Sequence, residues 1–385
     1  TPSTSDIVSG EVAVDTSAKK LYINDSGTVK EIGGGFNANV SDIAIGTSSG
    51  AGSYSVSIGD AAGYGGSGQH SICIGRRAGY NDGSKNIKIG YQAGYSGAND
   101  DFNTYVGYEA GYSGNTSDNN TAIGTHALYA NTVSSQVAVG YEALKACTTG
   151  PDNTAVGYQS GHALTTGGDN CIFGAQALDA ATTGSYNIAI GRSALGANTT
   201  ASYNTAIGNT ALDATTTGGS NTGVGHNVLG ANTTGSNNTG FGYSSLANST
   251  TADDNTAFGT SSLTAANSGG NTAVGRLCIQ YVTGSNNTGI GKEAGRTGTN
   301  NITSGSNNTL IGYQAQATSA TVSNEVTIGD TNITKFRVPG LNFSIKDSTA
   351  TDNYVLTVDA NGDAGWEAAG GTSTGETYVK QYANG

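Results

Sequence analysis

The sequence has few of the residues on which an ordinary globular enzyme depends. Charged residues make up 11% of the 385 positions, against roughly 25% in a typical soluble domain, and the chain has 3 Pro, 1 Trp and no Met. The low proline content excludes collagen and proline-rich linkers. No apolar run approaches the roughly 20 residues of a membrane-spanning helix. Gly, Asn, Thr and Ser dominate where Leu, Lys and Glu would be expected, which argues against a helical protein.

The charge balance and the cysteines exclude further kinds of site. With 16 basic and 28 acidic side chains the formal charge is −12, which disfavours binding to nucleic acid or to an anionic membrane. The 4 Cys lie far apart and form no CxxC spacing, so we predict neither a disulfide framework nor a zinc site, and we expect no cofactor. The chain begins at Thr1 without a leader, and we expect a mature or truncated form of a longer protein.

Catalytic constellations are also missing from the pattern. The 4 His occupy unrelated positions and are expected to be scattered over the surface. The carboxylate pairs Asp100-Asp101 and Asp253-Asp254 fall in predicted turns. A glycosidase needs two carboxylates at a set separation in a cleft, and neither pair indicates one. We therefore predict that the protein is not an enzyme.

A five-residue unit, Asn-Thr-Ala-(Ile/Val/Phe)-Gly, recurs along most of the chain. We call its last residue the anchor glycine. The 18 anchor glycines span 283 residues in 17 intervals, a mean of 16.6. They are Gly46, Gly59, Gly75, Gly90, Gly107, Gly124, Gly140, Gly157, Gly174, Gly191, Gly208, Gly225, Gly242, Gly259, Gly275, Gly291, Gly312 and Gly329. A repeat of this length indicates stacked coils that each contact only their neighbours.

This repeat predicts an all-β fold, a parallel β-roll or β-solenoid with coils of about 17 residues. We expect the 18 repeats to occupy residues 42–329. A small β module with a glycine-rich joint is predicted at 1–41, and a β meander with a polar tail at 330–385. In the second half of each coil, a recurring Leu is expected to enter the core from a weaker second strand. Asn precedes the strand in 13 of the 18 coils and is predicted to form a hydrogen-bonded ladder along the stack.

The two faces of each predicted strand differ. The residue before the anchor glycine is Ile, Val or Phe in all 18 coils, and two residues earlier it is Thr in ten and Ile or Val in seven. The position between them is mostly Ala or Gly and lies on the opposite face. We predict that this small face is where chains meet in a homotrimer. The predicted contact residues are Ala122, Ala155, Ala206, Gly223, Gly240 and Ala257.

Tyrosine is the most suggestive residue type, with 20 copies against 7 Phe. Tyr64, Tyr80, Tyr95 and Tyr112 each lie five residues after successive anchor glycines, so we predict that they stack as a ladder. Further tyrosines directly follow an anchor glycine. The rings offer platforms for sugar rings, or they only pack the roll or a contact between chains. We favour the second interpretation.

Several segments resemble known fibre proteins. The coil Asn-Thr-Ala-Ile-Gly-x-x-Ala-Leu resembles repeats of bacterial and phage tail fibre domain proteins and, more distantly, the head repeats of trimeric autotransporter adhesins. Those heads are left-handed parallel β-rolls wound as homotrimers, so the resemblance implies a trimer of that hand. The segment from Ser9 to Ile23 is similar to parts of phage tail fibres. Phe336–Phe343 and Val355–Trp366 resemble cyanophage fibre-like proteins.

These resemblances imply a structural fibre of a virion, on a phage tail or head, that spaces or presents host-surface binding. The expected location is the virion surface or the extracellular space. The expected partners are copies of the chain, other virion proteins and a host glycan or protein, with no nucleic acid and no insertion into a membrane. A bacterial trimeric surface adhesin is the alternative function, and a tailspike enzyme acting on polysaccharide is the third.

Overall fold

A computed structural model describes residues 12–15, 20–25, 28–31, 43–46, 48–50, 54–65, 68–96, 100–113, 117–296, 301–335, 354–358 and 364–368. All regular secondary structure in these residues is β-strand, as the repeat predicts. The chain divides into two compact units, Thr1–Asn332 and Ile333–Gly385. The first unit contains a β-solenoid.

The strands are short and evenly spaced. In chain order they are β1 (Val12–Asp15), β2 (Lys20–Asp25), β3 (Thr28–Glu31), β4 (Ile43–Ile45), β5 (Val56–Ile58), β6 (Ile72–Ile74), β7 (Ile87–Ile89), β8 (Thr104–Val106), β9 (Thr121–Ile123), β10 (Val137–Val139), β11 (Thr154–Val156), β12 (Cys171–Phe173), β13 (Ile188–Ile190), β14 (Thr205–Ile207), β15 (Thr222–Val224), β16 (Thr239–Phe241), β17 (Thr256–Phe258), β18 (Ala265–Ala266), β19 (Thr272–Val274), β20 (Tyr281–Val282), β21 (Thr288–Ile290), β22 (Thr309–Ile311), β23 (Val326–Ile328), β24 (Tyr354–Val358) and β25 (Ala364–Ala368).

Within the described residues, eighteen three-residue strands, one before each anchor glycine, form the parallel sheet of the solenoid. Each strand pairs with the strand of the next coil at the same repeat position, so that Ala206 of β14 lies between Ala189 and Gly223. The pairs run in chain order from β4 to β23. Equivalent residues of successive coils therefore form columns along the stack.

The small face of the strands points into the coil. All six residues predicted to form the contact between chains are buried within a single chain: Ala122, Ala155, Ala206, Gly223, Gly240 and Ala257. That prediction is wrong, because the second half of the same coil covers this face. The interior is narrow: a Cβ added at Gly223 would lie 3.2 Å from both Leu212 and Val228. Most coils have Ala or Gly at this position, while Ile172 and Leu310 fill it in two others.

The second half of each coil supplies the rest of the core but is mostly not a strand. The recurring leucines are fully buried, among them Leu144, Leu195 and Leu246, and join the small residues in one continuous cluster. They adopt left-handed backbone conformations, as at Leu195 with φ 54°. Among the described coils only β18 and β20 form the predicted second strand. Elsewhere the chain turns too sharply for a strand, although Leu195 N–H still donates to Ala211 O at 3.0 Å in the next coil.

The asparagine ladder is present inside the solenoid. The Oδ1 atom of each Asn in the ladder accepts the backbone N–H of the equivalent residue one coil further on, as from Asn221 N–H to Asn204 Oδ1 at 2.9 Å. The Nδ2 atom of Asn204 donates to Gly218 O at 3.0 Å. Gln136 interrupts the pattern: its Nε2 donates to Ser134 O, and the buried Nδ2 of Asn120 has no partner. The ladder thus satisfies backbone groups where each coil re-enters the sheet.

The flanking strands are antiparallel. β2 pairs with both β1 and β3, and β24 pairs with β25. These five strands confirm the strands predicted near both ends. Within the meander the sequence also predicts strands at 335–338 and 342–346, and of these positions only residue 335 lies among the described residues.

Candidate functional site

The outward face of the parallel sheet carries a long apolar surface. One column is the residue before each anchor glycine, which is always Ile, Val or Phe, and the other is the residue two positions earlier, which is Thr in ten coils and Ile or Val in seven; we call the two columns together the apolar stripe. Its large, well-exposed members are Ile43, Ile45, Ile72, Ile87, Ile123, Phe173, Ile188, Ile190, Ile207, Phe258, Val274, Ile290, Ile311, Val326 and Ile328. Exposed apolar surface on this scale marks an interaction site rather than a solvated face.

The predicted tyrosine ladder is built as a continuous stack. Tyr64, Tyr80, Tyr95 and Tyr112 follow one another with ring centroids 5.1–5.2 Å apart. Tyr129 extends the stack at 5.0 Å from Tyr112. Sequence reasoning missed Tyr129, although it also lies five residues after an anchor glycine. Five coils thus place their tyrosines in one column.

The ladder geometry bears on sugar binding. A sugar ring binds an aromatic side chain by lying on an open ring face. Each inner ring of the ladder has both faces covered by its neighbours at about the spacing of the coils. The inner rings therefore present their edges, and not their faces, to the outside. The stack therefore favours the interpretation in which these tyrosines pack against one another.

A second aromatic column follows the anchor glycines directly, and we call it the corner column. From Gly90 to Gly275 its residues are Tyr91, Tyr108, Thr125, Tyr141, Tyr158, Ala175, Arg192, Asn209, His226, Tyr243, Thr260 and Arg276. Its rings stack in short pairs instead of one long ladder, at 5.2–5.4 Å. Cations interleave with them: Arg76 lies 5.8 Å from the ring centre of Tyr91, and Lys292 lies 5.3 Å from that of Tyr313. The alternation of rings, small residues and cations went unnoticed in the sequence.

One buried charge cluster interrupts the small-residue interior. The Nζ atom of Lys88 is fully buried and lies 2.7 Å from Asp82 Oδ1 and 3.0 Å from Asp100 Oδ2. Burial opposes the charge on Lys88, but the two carboxylates outweigh it and hold the pKa of the ammonium above its ordinary value. Burial raises the pKa of Asp100, with Lys88 acting against it. The cluster is a paired charge in the core and is closed to ligands.

A second polar cluster lies on the surface around Glu142. Lys145 Nζ donates to Glu142 Oε1 at 2.6 Å, and Gln159 Nε2 donates to Oε2 at 2.9 Å. These hydrogen bonds lower the pKa of Glu142 to about 2. His162 and His126 lie 3.4 and 3.8 Å from the same carboxylate, so these two histidines are brought together rather than scattered. Nowhere in the described residues do three or more His, Cys, Asp or Glu form a group that could hold a metal ion.

Comparisons with known proteins do not place the chain in a family. No family model, no curated protein and no solved structure matches it. In the part of the chain that the structure describes, no helix has the length and apolar character required to cross a membrane. The surfaces themselves carry the functional argument.

Proposed function

We propose that the protein is a structural fibre of a virion, on a phage tail or head, that spaces or presents a host-binding element. The observation that carries the proposal is the run of eighteen described coils in a single register with an apolar outward face. Each coil is stabilised by its neighbours, so the length of such a body is set by the number of repeats. Seventeen coil intervals at roughly 4.8 Å each correspond to a solenoid about 80 Å long. A spacer needs this combination of length and regularity.

The proposed working unit is a homotrimer that packs along the apolar stripe. The stripe follows the sheet from Ile43 to Ile328 with one residue pair per coil. A partner that covers it throughout needs the same length and the same repeat, and a further copy of the chain has both. The resemblance to trimeric adhesin heads favours three copies over two. The sequence pattern predicted the contact between chains on the small face of the strands. The contact proposed here lies on the opposite face of the same strands.

The proposal gives the chain no catalytic role. A polysaccharide-acting enzyme needs two accessible carboxylates across a cleft. Of the acidic pairs in the sequence, Asp100 is buried against Lys88. Asp253 accepts a hydrogen bond from the backbone N–H of Ser236 at 2.7 Å. Both side chains have structural roles in their coils.

A bacterial surface adhesin remains the second candidate, because the coil motif resembles both kinds of protein. The two are separated by locating the chain in its source. Purified particles and cell-envelope fractions are to be searched for its peptides by mass spectrometry, and the particles labelled with gold-conjugated antibody against the solenoid. We expect peptides in the particles and gold on projecting appendages. Peptides found only in the envelope fraction would contradict the virion-fibre proposal and favour the bacterial adhesin.

A further inference from the structure

We infer that the corner column contains two binding sites for acidic sugars, one between Tyr158 and Arg192 and one between Tyr243 and Arg276. The inference names the ligand class of the host-surface role and rests on the proposed function for its biological meaning. Its physical basis is independent of that role: a repeated order of two stacked rings, one small residue and one arginine along the stack.

The backbone holds the corner column in register. Gln159 N–H donates to Tyr141 O at 2.8 Å, and Gln176 N–H donates to Tyr158 O at 2.8 Å. Ser193 N–H donates to Ala175 O at 3.1 Å. Successive corner residues therefore start from equivalent backbone positions, roughly 4.8 Å apart along the stack.

Each ring pair ends in an open ring face. Tyr158 stacks on Tyr141 with centroids 5.4 Å apart and planes 10° from parallel, and the next corner residue is Ala175. Alanine carries no ring that could stack on the far face of Tyr158, and 51% of this tyrosine is exposed. The surface is thus an aromatic platform with a gap one coil deep beside it.

The same order recurs five coils further on. Tyr243 stacks on His226 at 5.3 Å and 12°, and 57% of it is exposed. Thr260 follows as the small residue, and Arg276 comes next. Gln176 and Ser261, each directly after the small residue of its gap, provide polar side chains beside the two gaps.

The gap fits one sugar ring. Two coil steps separate the tyrosine from the arginine, about 10 Å in total. Van der Waals contact takes roughly 3.5–4.0 Å on each side, which leaves the thickness of one pyranose between the ring and the guanidinium. A ligand held in this way contacts both groups at once.

The two groups select an acidic sugar. The aromatic face packs against the C–H face of a pyranose, and a guanidinium binds carboxylate or sulfate oxygens through paired hydrogen bonds. Within the described part of the chain, Arg192 has neither an ion pair nor a hydrogen bond through its side chain, whereas Arg276 lies 3.4 Å from Glu293. The net charge of −12 is no obstacle, since at 0.1 M salt charges beyond about 10 Å are screened.

The corner column has a third gap between stacked rings, and this gap is filled by a side chain of the protein. Thr125 lies between Tyr108 and Tyr141 in the corner column. The ring of His126 stands edge-on 5.5 Å from Tyr108 and equally far from Tyr129. This gap lacks the arginine and is occupied by a side chain of the protein itself.

The test is isothermal titration calorimetry of the full chain with three oligosaccharides of equal length: an oligogalacturonate, a sulfated galactan fragment and a neutral maltooligosaccharide. We expect at least one of the two acidic ligands to bind about tenfold more tightly than the neutral one. Comparing the carboxylated with the sulfated ligand identifies which anion the arginines take.

The variants are Arg192→Gln with Arg276→Gln, and Tyr158→Ala with Tyr243→Ala. Each double variant should bind acidic sugars about tenfold more weakly than the natural chain, and its circular dichroism spectrum should be unchanged. The matched control is Tyr203→Ala. Tyr203 is 63% exposed and stacked on Tyr186, but its column continues with Ser220 and Asn237 instead of an arginine. The control should bind as the natural chain does.

Three results would overturn the inference: no binding of either acidic ligand, binding that survives both double variants, or equal binding of the neutral ligand. These results are distinct from a failure of the fibre proposal. A chain that is found on particle appendages but binds no acidic sugar contradicts the two sites alone. A chain that is absent from particles but binds acidic sugars through these residues contradicts the fibre alone.

Discussion

At the scale of the residue, stability depends on what one coil presents to the next. Oδ1 of Asn204 accepts from the backbone of Asn221, and its Nδ2 donates to Gly218, all in the interior. The ladder could be predicted from the sequence because one residue type recurs before the strand. Its bonding could not, since the sequence does not reveal that the side-chain amide mainly serves backbone groups.

Replacing Asn204 by Ala should lower the free energy of unfolding by about 3 kcal/mol, because a buried N–H and a buried carbonyl lose their partners. The measurement is urea-induced unfolding followed by circular dichroism. Asn209→Ala is the matched control, five residues further on at an exposed position, and should cost less than about 0.5 kcal/mol. Equal losses in the two variants would mean that the ladder contributes nothing specific.

The lowered pKa of Glu142 predicts how the stability of the folded chain depends on pH. Its pKa is lowered from 4.5 to about 2 in the folded chain by hydrogen bonds from Lys145 and Gln159. A lowered folded-state pKa contributes stability that is complete above pH 4.5 and is lost as the pH falls towards 2. The natural chain should therefore melt at a higher temperature than Glu142→Gln at pH 7, with the difference disappearing near pH 2. A difference that is constant across this range would contradict the assignment.

At the scale of the element, the anchor glycine fixes the spacing of the coils. Gly225 has φ +135°, and a Cβ added there would lie 2.7 Å from Gly242 O in the next coil. Residues other than glycine rarely adopt this backbone conformation. The neighbouring atom belongs to the main chain, so it can move only if the sheet itself shifts.

Gly225→Ala should cost about 3 kcal/mol through backbone strain and the close contact. Gly223→Ala, two residues earlier in the same coil, should cost less than about 1 kcal/mol, because it meets only side chains, at 3.2 Å, and Ala fills the same position in other coils. Thermal unfolding of the two variants gives the comparison. If Gly223→Ala proves the more damaging, the anchor glycine is not the constraint.

The sequence predicted the strands and their spacing but not which face is inside. Alternation with period two places Ala206 and Ile207 on opposite faces without saying which one faces the core. In most coils Ala or Gly takes the inward position and the larger Ile, Val or Phe lies outward, although Ile172 and Leu310 take the inward position in two coils. Lys88 shows the same limit: its position is interior, and the partners Asp82 and Asp100 that make its burial possible are six and twelve residues away.

At the scale of the whole molecule, the solenoid buries small side chains and leucines in its interior and places most of the larger apolar side chains of its sheet on the outward face. Within the described coils, the core is one large cluster of small and branched side chains that begins at Ala93, with a separate small cluster of Ala62, Cys73 and Ala78 in the earlier coils. The apolar stripe on the opposite face is exposed or partly exposed in a single chain from the first described coil to the last. Association along the stripe removes this surface from water without changing the fold of a coil.

Ile207→Glu should dissociate the assembly and leave the circular dichroism spectrum unchanged. The side chain is 37% exposed in one chain, so the carboxylate is tolerated by the coil but not by an apolar contact between copies. Asn209→Glu, exposed two residues further on outside the stripe, is the control and should leave the assembly intact. Ala206→Glu does not separate the alternatives, because it buries a charge inside the coil whatever the assembly.

The most direct test of the account is the native mass of the full chain at micromolar concentration, measured by light scattering coupled to size exclusion. Three chains packed along the apolar stripe predict a single species of three times 38.3 kDa. A stable, soluble species of 38.3 kDa would contradict the account, because the apolar stripe would then be exposed to water along its entire length.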